Sequence, residues 1–156
     1  MELMKRILFV CTGNSCRSVM AEGLFKKLTE ASSGKFQVTS AGISAIEGFP
    51  ATPETIEAME KEGVDVSGHR SRRLTPEMVK AADRIFVMEE IHKELILSMV
   101  PEARNKVFLL TEFSPAVSGK DTMRNVPDPI RMSESFYKNV LGVIRDCVKN
   151  IAEDCK

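Results

Sequence analysis

The fold of this chain is decided by one stretch, Lys5-Arg6-Ile7-Leu8-Phe9-Val10-Cys11-Thr12-Gly13-Asn14-Ser15-Cys16-Arg17-Ser18. The apolar run over residues 5–10 is opened by two charges, a pattern that predicts a buried parallel strand. Residues 19–28 place apolar side chains at helical spacing and predict a helix. The segment between them therefore runs from the end of a strand into the start of a helix.

This loop holds a cysteine and an arginine separated by five residues, Cys11-x5-Arg17. Unpaired backbone N–H groups and the helix dipole at such a junction favour a tetrahedral oxyanion. Arg17 adds a planar, bidentate donor for phosphoryl oxygens, and the positive field favours the Cys11 thiolate, which is the attacking form. The Gly13-Asn14 pair supplies residues that tolerate positive φ. The loop predicts phosphate chemistry through a cysteinyl intermediate rather than a buried cysteine beside a surface arginine.

The composition is ordinary for a soluble globular protein of 156 residues, with 43% hydrophobic and 28% charged residues, and the length predicts a single domain. Its 22 basic residues balance 22 acidic ones, which argues against nucleic-acid binding through overall charge. No apolar stretch approaches membrane-spanning length, and the N-terminus lacks a signal-peptide core. We therefore expect a cytoplasmic protein with neither a nucleic-acid nor a membrane partner.

The cysteines form no disulfide framework of the kind found in small secreted domains. They are Cys11, Cys16, Cys147 and Cys155. Their spacing, taken together with that of His69 and His92, does not match a zinc site. We therefore expect no metal and no cofactor. Apolar periodicity places Cys147 on the core face of the last helix, and Cys155 is expected to be an exposed thiol at a frayed end.

Strand-like and helix-like segments alternate along the chain and predict an α/β fold with a parallel sheet. Further strands are predicted over residues 36–40, 84–88 and 106–110. Helices are predicted from Thr52-Pro53-Glu54 and Thr75-Pro76-Glu77, each with Thr as N-cap and Pro at the first position. Two more are predicted, one from about residue 91 to before Pro101 and one over the apolar face from Phe136 to Ile151. Residues 111–131 contain three prolines and one glycine and predict a long loop, which in a compact domain is usually functional or disordered.

A reaction that forms a phosphocysteine needs a proton for the leaving group, and Asp128 is the best candidate for its donor. Asp128 lies in Val126-Pro127-Asp128-Pro129, where two prolines restrict the backbone on either side. In a partly apolar site mouth facing a phosphate, its carboxyl can act as a general acid. Asp121, on the same predicted loop, is a second candidate that spacing does not exclude.

Four groups of residues resemble the low-molecular-weight protein tyrosine phosphatases in order and spacing. They are Cys11–Ser18 with Met20-Ala21-Glu22, then Ser40-Ala41-Gly42, then His69-Arg70-Ser71, then Asp128-Pro129. The resemblance covers nearly the whole chain, and the combination is far more specific than any single motif. It implies a three-layer, Rossmann-like fold in which a four-stranded parallel sheet is flanked by helices.

The resemblance also implies roles for individual residues. Cys11 would attack phosphorus and Arg17 would clamp the equatorial oxygens, while Asp128 would protonate the leaving group and then activate water. Ser18 would hydrogen-bond the thiolate. Asn14 would hold the loop through Ser40 and His69, so that His69 is structural, and His92 receives no function. The phosphate-binding loop comprises Thr12, Gly13, Asn14, Ser15, Cys16 and Ser18. The implied partners are a phosphorylated protein and a phosphate or other oxyanion in the active site.

Cys16 has two open interpretations. It is close enough in sequence to Cys11 to form a reversible disulfide under oxidant, which would protect Cys11 from overoxidation. Some family members resemble this arrangement. The alternative is that Cys16 is a second small core residue.

Departures from the family pattern concern the substrate. Tyrosine-directed members typically carry a bulky aliphatic residue at position 15 and the arginine phosphatases carry threonine, whereas this chain has Ser15. Ile130-Arg131 stands where an aromatic residue is common, so an aromatic wall would have to come from Phe49 or Tyr137. We expect a phosphotyrosine phosphatase first and a phosphoarginine phosphatase second.

Two other functions are weaker candidates. A thioredoxin-coupled arsenate reductase has a similar loop, but it needs a further cysteine pair after the third strand, and residues 82–90 contain no cysteine. A phosphoprotein-binding module that has lost turnover should lack the nucleophile, the arginine or the acid. All three candidates are present in this chain.

Overall fold

The computed structural model describes residues 4–32, 34–115 and 124–155. Within these ranges the chain forms a parallel sheet of four strands in the order β2-β1-β3-β4. The strands are β1 (Lys5–Cys11), β2 (Phe36–Gly42), β3 (Arg84–Val87) and β4 (Val107–Leu109). The helices are α1 (Arg17–Leu28), α2 (Pro53–Lys61), α3 (Pro76–Ala81), α4 (Glu90–Met99) and α5 (Glu134–Asp154). The predicted α/β fold with a four-stranded parallel sheet is confirmed.

Helices cover both faces of the sheet, so the central strands β1, from Ile7 onward, and β3 are buried on both sides. Along β1, Ile7 and Phe9 face a core built with α1, α2 and α5. The alternating residues Leu8 and Val10 face a second core built with α3 and α4. This alternation follows from the two-residue period of a strand, and it accounts for the continuous apolar run in the sequence.

The sheet order places the carboxyl ends of β1 and β3 side by side at the point where the chain changes direction. From β1 the chain runs to one edge through β2, and it later returns to the other side of β1 as β3. Ligands bind open α/β sheets in the crevice at such a point. The residues that follow Cys11 and those that follow Val87 therefore meet at one site.

The predicted helix starts are confirmed in atomic detail. The Thr52 hydroxyl accepts a hydrogen bond from the Thr55 N–H at 3.3 Å, and the Thr75 hydroxyl accepts one from the Met78 N–H at 3.2 Å. In each helix a proline follows the cap. The missing proline N–H costs nothing there, since the first N–H groups of a helix have no intrahelical partner.

Two predictions need correction. Cys155 is 2% exposed, because the end of α5 packs against the start of β1 and β3. The Lys5 Nζ donates to the Cys155 carbonyl at 3.2 Å, and the Arg84 guanidinium lies 3.7 Å from the Cys155 Sγ.

The predicted loop over residues 111–131 begins inside a 3-10 turn, Leu110–Phe113, and Asp121 lies outside the described residues. Cys147 is fully buried on α5, as predicted.

Among the described residues no helix is both long and apolar enough to cross a membrane.

Candidate active site

Cys11 ends β1 and lies at the bottom of the loop that leads into α1. Its side chain is 2% exposed, and its Sγ accepts a hydrogen bond from the Asn14 N–H at 3.2 Å and lies 2.9 Å from the Ser18 Oγ. The Asn14 Nδ2 already donates to that Ser18 oxygen at 2.8 Å. The hydroxyl hydrogen of Ser18 is therefore free to donate to the Cys11 sulfur. Two donors converge on this atom, an arrangement that stabilises a thiolate.

Asn14 organises the loop from a left-handed backbone conformation, with φ of 54°. It is fully buried, and its amide also donates to the Ser40 Oγ at 2.9 Å and accepts from the Arg72 N–H at 2.9 Å. The Asn14 carbonyl accepts from the His69 Nε2 at 2.8 Å. The predicted supports Ser40 and His69 are thus brought to Asn14, and the His69 proton lies on Nε2 because a carbonyl only accepts.

The positive φ expected of the Gly13-Asn14 pair belongs to Asn14 alone. Gly13 is not among the positive-φ residues of the described ranges. A Cβ at Gly13 would have the Ser15 hydroxyl oxygen, at 3.6 Å, as its nearest contact. The side chain of Asn14 stabilises the left-handed conformation through its hydrogen bonds, which is a known use of asparagine.

Arg17 begins α1 and turns its guanidinium toward the chain that follows β3. It is 2% exposed. Its Nη1 donates to the Glu89 Oε2 at 2.6 Å and to the Val126 carbonyl at 2.7 Å, and its Nη2 donates to the Thr12 Oγ1 at 3.4 Å. A guanidinium has five N–H donors, so these three bonds to described residues leave two for a bound oxyanion.

Asp128 lies at the same site, as predicted. Its Oδ2 is 3.9 Å from the Arg17 Nη2, and its Oδ1 accepts the Ile130 N–H at 3.0 Å. The side chain is 45% exposed, so one carboxylate oxygen is oriented by the backbone and the other faces the mouth. This placement suits a proton donor to a leaving group above the loop.

Sequence reasoning missed two residues of the site, Glu89 and His92. Glu89 anchors Arg17, and the His92 Nε2 lies 2.9 Å from the Thr12 Oγ1. Burial, followed by the charge of Arg17, lowers the pKa of His92 to about 4. A signal was available in the sequence, since polar residues just after a central parallel strand lie at the ligand-binding edge of such a sheet.

Cys16 and Tyr137 lie together beneath the loop. Cys16 is 3% exposed, and its Sγ is 3.6 Å from the Tyr137 hydroxyl and 3.5 Å from the Thr52 hydroxyl. Tyr137 is 4% exposed, and burial raises its pKa to about 12. The suggestion that Tyr137 forms an aromatic wall of the substrate pocket is therefore wrong.

Phe49 remains as the other aromatic candidate for a wall of the substrate pocket. It is 56% exposed and lies on the segment over residues 43–52, whose two ends are hydrogen-bonded to the loop. The Ser44 N–H donates to the Thr12 carbonyl at 2.9 Å, and the Thr52 N–H donates to the Ser15 carbonyl at 3.1 Å. Ser15 itself is half-buried.

Known proteins are similar over almost the whole chain. The sequence profile of the family described as low molecular weight phosphotyrosine protein phosphatase matches residues 6–156. A protein-arginine-phosphatase of Bacillus subtilis is 36% identical over 150 residues, with 96% of each chain covered. A low molecular weight protein tyrosine phosphatase from T. tengcongensis superposes with a TM-score of 0.86 at 38% identity, covering 96% of this chain and 99% of that one.

A third similar protein was solved with a bound oxyanion. The tyrosine phosphatase Wzb from Escherichia coli K30, solved in complex with sulphate, has a TM-score of 0.86 and 32% identity and covers 99% of this chain and 100% of its own. The family and the hydrolase class predicted from the motifs are confirmed by these matches. On this evidence the chain belongs to the low molecular weight phosphotyrosine protein phosphatase family.

Proposed function

We propose that this protein hydrolyses phosphotyrosine in phosphorylated proteins through a cysteinyl-phosphate intermediate. The observation that carries the proposal is the convergence of two donors on the Cys11 Sγ, the Asn14 N–H at 3.2 Å and the Ser18 hydroxyl at 2.9 Å, beside the buried guanidinium of Arg17. A sulfur held in this way is a nucleophile, and the loop around it is a cradle for an oxyanion.

In the first step the Cys11 sulfur attacks phosphorus, and the bond between phosphorus and the phenolic oxygen breaks. Asp128 gives its proton to that oxygen, which leaves as the tyrosine hydroxyl. Arg17 and the N–H groups of the loop bind the three remaining phosphoryl oxygens, where charge accumulates. Glu89 and the Val126 carbonyl hold the guanidinium in place, so it does not have to reorganise when the substrate binds.

In the second step a water molecule attacks phosphorus from the side that the tyrosine has left. The Asp128 carboxylate accepts a proton from that water, and the bond between sulfur and phosphorus breaks. Phosphate leaves, and Cys11 returns as the thiolate under the hydroxyl of Ser18. The same carboxyl is the acid in one direction and the base in the other, as microscopic reversibility requires.

Phosphoarginine is the second candidate substrate, and the mouth of the site favours it in two respects. Tyr137 is buried beneath the loop, and Ile130-Arg131 follows Asp128-Pro129, which leaves Phe49 as the candidate ring wall among these residues. Ser15 presents a hydroxyl at the position where a bulky aliphatic side chain would pack against a phenyl ring.

The test compares kcat/KM for a phosphotyrosine peptide and a phosphoarginine peptide of the same sequence, with Cys11→Ser as the inactive control. We expect turnover of phosphotyrosine to be greater, because the matched family is described by that substrate. Ser15→Ile should raise the preference for phosphotyrosine, and Ser15→Thr should lower it. A wild-type preference for phosphoarginine of more than tenfold would assign the second function instead, and turnover of neither peptide would refute both.

A further inference from the structure

His92 lies beside the phosphate-binding loop, although it comes from a distant part of the chain. It is on the first turn of α4, directly after β3, and its side chain is 1% exposed. Both ring nitrogens have partners. The Glu89 N–H donates to Nδ1 at 3.1 Å, and Nε2 lies 2.9 Å from the Thr12 Oγ1.

These two contacts determine where the imidazole proton lies. A backbone N–H can only donate, so Nδ1 must be the unprotonated nitrogen. In the neutral ring the proton then lies on Nε2, and Nε2–H donates to the Thr12 oxygen. If the tautomer were reversed, the Glu89 N–H would face another N–H and the hydrogen bond would be lost.

The tautomer in turn determines whether the Thr12 hydroxyl acts as a donor or an acceptor toward other groups. Its oxygen accepts from the His92 Nε2–H and, at 3.4 Å, from the Arg17 Nη2. A hydroxyl has two acceptor positions and one hydrogen, so both acceptor positions are taken. Thr12 is exposed at the mouth, and its hydrogen is left to donate to solvent or to a bound phosphorylated substrate.

The charges that face the imidazole leave it neutral. The Glu89 Oε2 lies 3.7 Å from Nε2, but that oxygen is already bound to Arg17 at 2.6 Å. Arg17 and burial both oppose protonation, while Glu89 and the more distant Asp128 favour it, and the net effect is a lowered pKa. The ring is therefore a fixed donor to Thr12 at neutral pH.

We propose that His92 is a positioning residue for the phosphatase reaction, which orients the Thr12 hydroxyl as a hydrogen-bond donor to the phosphorylated substrate and steadies the Arg17 guanidinium through the same oxygen. The inference rests on the proposed function, since the substrate is a phosphate ester or phosphoramidate. His92 acts through Thr12 and does not touch the reacting atoms.

Two substitutions separate this role from a purely structural one. His92→Gln places an amide N–H near the position of Nε2 and retains the donor to Thr12. His92→Asn places an amide oxygen near Nδ1 and retains only the contact with the Glu89 N–H. The proposal predicts that kcat/KM of the Gln variant stays within about threefold of wild type, and that of the Asn variant falls about tenfold, the effect of one hydrogen bond.

Thr12→Val provides the second arm of the test. It should lower kcat/KM about tenfold by itself, and adding His92→Asn to it should lower kcat/KM no further, because both changes remove the same interaction. Additive losses would overturn the proposal. An active His92→Asn variant together with an impaired His92→Gln variant would also overturn the proposal. That result would mean that His92 serves to cap α4.

Two measurements do not depend on turnover. Nitrogen-15 NMR of the wild-type imidazole should show the proton on Nε2, and a proton on Nδ1 would overturn the proposal. Titration calorimetry with inorganic phosphate should show several-fold weaker binding for His92→Asn than for His92→Gln, and equal affinities would also overturn it. If neither phosphopeptide is hydrolysed by the wild-type protein, the proposed function fails while these measurements still test His92.

Discussion

Gly42 is the position at which the structure predicts the sharpest effect of a single methyl group on the active site. It ends β2 beside the phosphate-binding loop, and the Ile43 N–H that follows it donates to the Cys11 carbonyl at 3.0 Å. A Cβ at Gly42 would lie 2.6 Å from the Thr12 carbonyl oxygen, 2.8 Å from the Asn14 nitrogen and 2.9 Å from the Ala45 Cβ. Two of these three atoms belong to the backbone of the loop, so no rotamer change relieves the contact.

The magnitude follows from the distances. A carbon and a carbonyl oxygen normally approach to about 3.3 Å, so Gly42→Ala must displace the Thr12 carbonyl by about 0.7 Å. Overpacking of this kind costs about 1–3 kcal/mol of the free energy of unfolding, and we expect about 3 kcal/mol because two backbone atoms are involved. Misplacing a catalytic group by about 1 Å can cost about a hundredfold in rate, so kcat/KM should fall about 30- to 100-fold.

The assay is equilibrium unfolding in urea together with kcat/KM on an aryl phosphate. Gly68→Ala is the matched control, because a Cβ there meets nothing within 4 Å and the backbone is not left-handed. The control should change the free energy of unfolding by less than about 0.5 kcal/mol. A Gly42→Ala variant with wild-type stability and wild-type kcat/KM would refute the reasoning.

Three further predictions follow from the same geometry. Cys11→Ser should abolish turnover and retain binding of inorganic phosphate in calorimetry, and appreciable residual activity would exclude the covalent mechanism. Asp128→Asn should lose about 100-fold or more in kcat on substrates with poor leaving groups and less on aryl phosphates with good ones; equal losses would move the acid role to another residue. Folding lowers the pKa of His92 from its ordinary value of about 6.5 to about 4, so between these pH values the unfolded chain binds more protons at His92 than the folded chain does. The free energy of unfolding should fall by about 3 kcal/mol between pH 6.5 and 4 from this group. Urea unfolding of the wild type and His92→Gln at pH 7, 5.5 and 4 measures this difference, and parallel pH profiles would contradict it.

The parts of the site that could be predicted from the sequence are those whose reacting groups are neighbours along the chain. The Cys11-x5-Arg17 loop carries its candidate nucleophile, its cation and its helix start within eight residues, so its chemistry could be proposed without tertiary information. The strands and the Thr-Pro helix starts are likewise determined by neighbours in sequence. The roles of Ser40 and His69 came from the family resemblance, whereas Asp128 was already the candidate acid because prolines flank it on both sides. The structure places all three side chains at or behind the loop.

The parts that were missed or misplaced depend on contacts between distant segments. Glu89 and His92 reach the loop because β3 pairs beside β1. Their position just after a predicted strand was the available signal, but the helix pattern itself does not show which strand pairs with β1. Cys155 is buried because the end of α5 docks on Lys5 and Arg84, whereas sequence position alone suggested a frayed end. Tyr137, near the start of α5, lies against Cys16 because α5 packs on α1. In each case the position of the side chain is determined by the packing of one element on another. The residue pattern within a single element does not reveal that packing.

Burial divides the candidate active site into two parts. The groups assigned to phosphorus in the proposed mechanism are 2% exposed or less, namely Cys11, Asn14, Arg17 and Ser18, and each is tied to the scaffold by hydrogen bonds or ion pairs. The groups assigned to the leaving-group side, Thr12, Ser15 and Asp128, are half-buried or exposed. Substitution at the mouth can therefore change which leaving group is accepted without disturbing the buried cradle. The proposed function therefore places the choice between phosphotyrosine and phosphoarginine at the mouth rather than at Cys11, in a chain that is 36% identical to a protein-arginine-phosphatase and 38% identical to a protein tyrosine phosphatase.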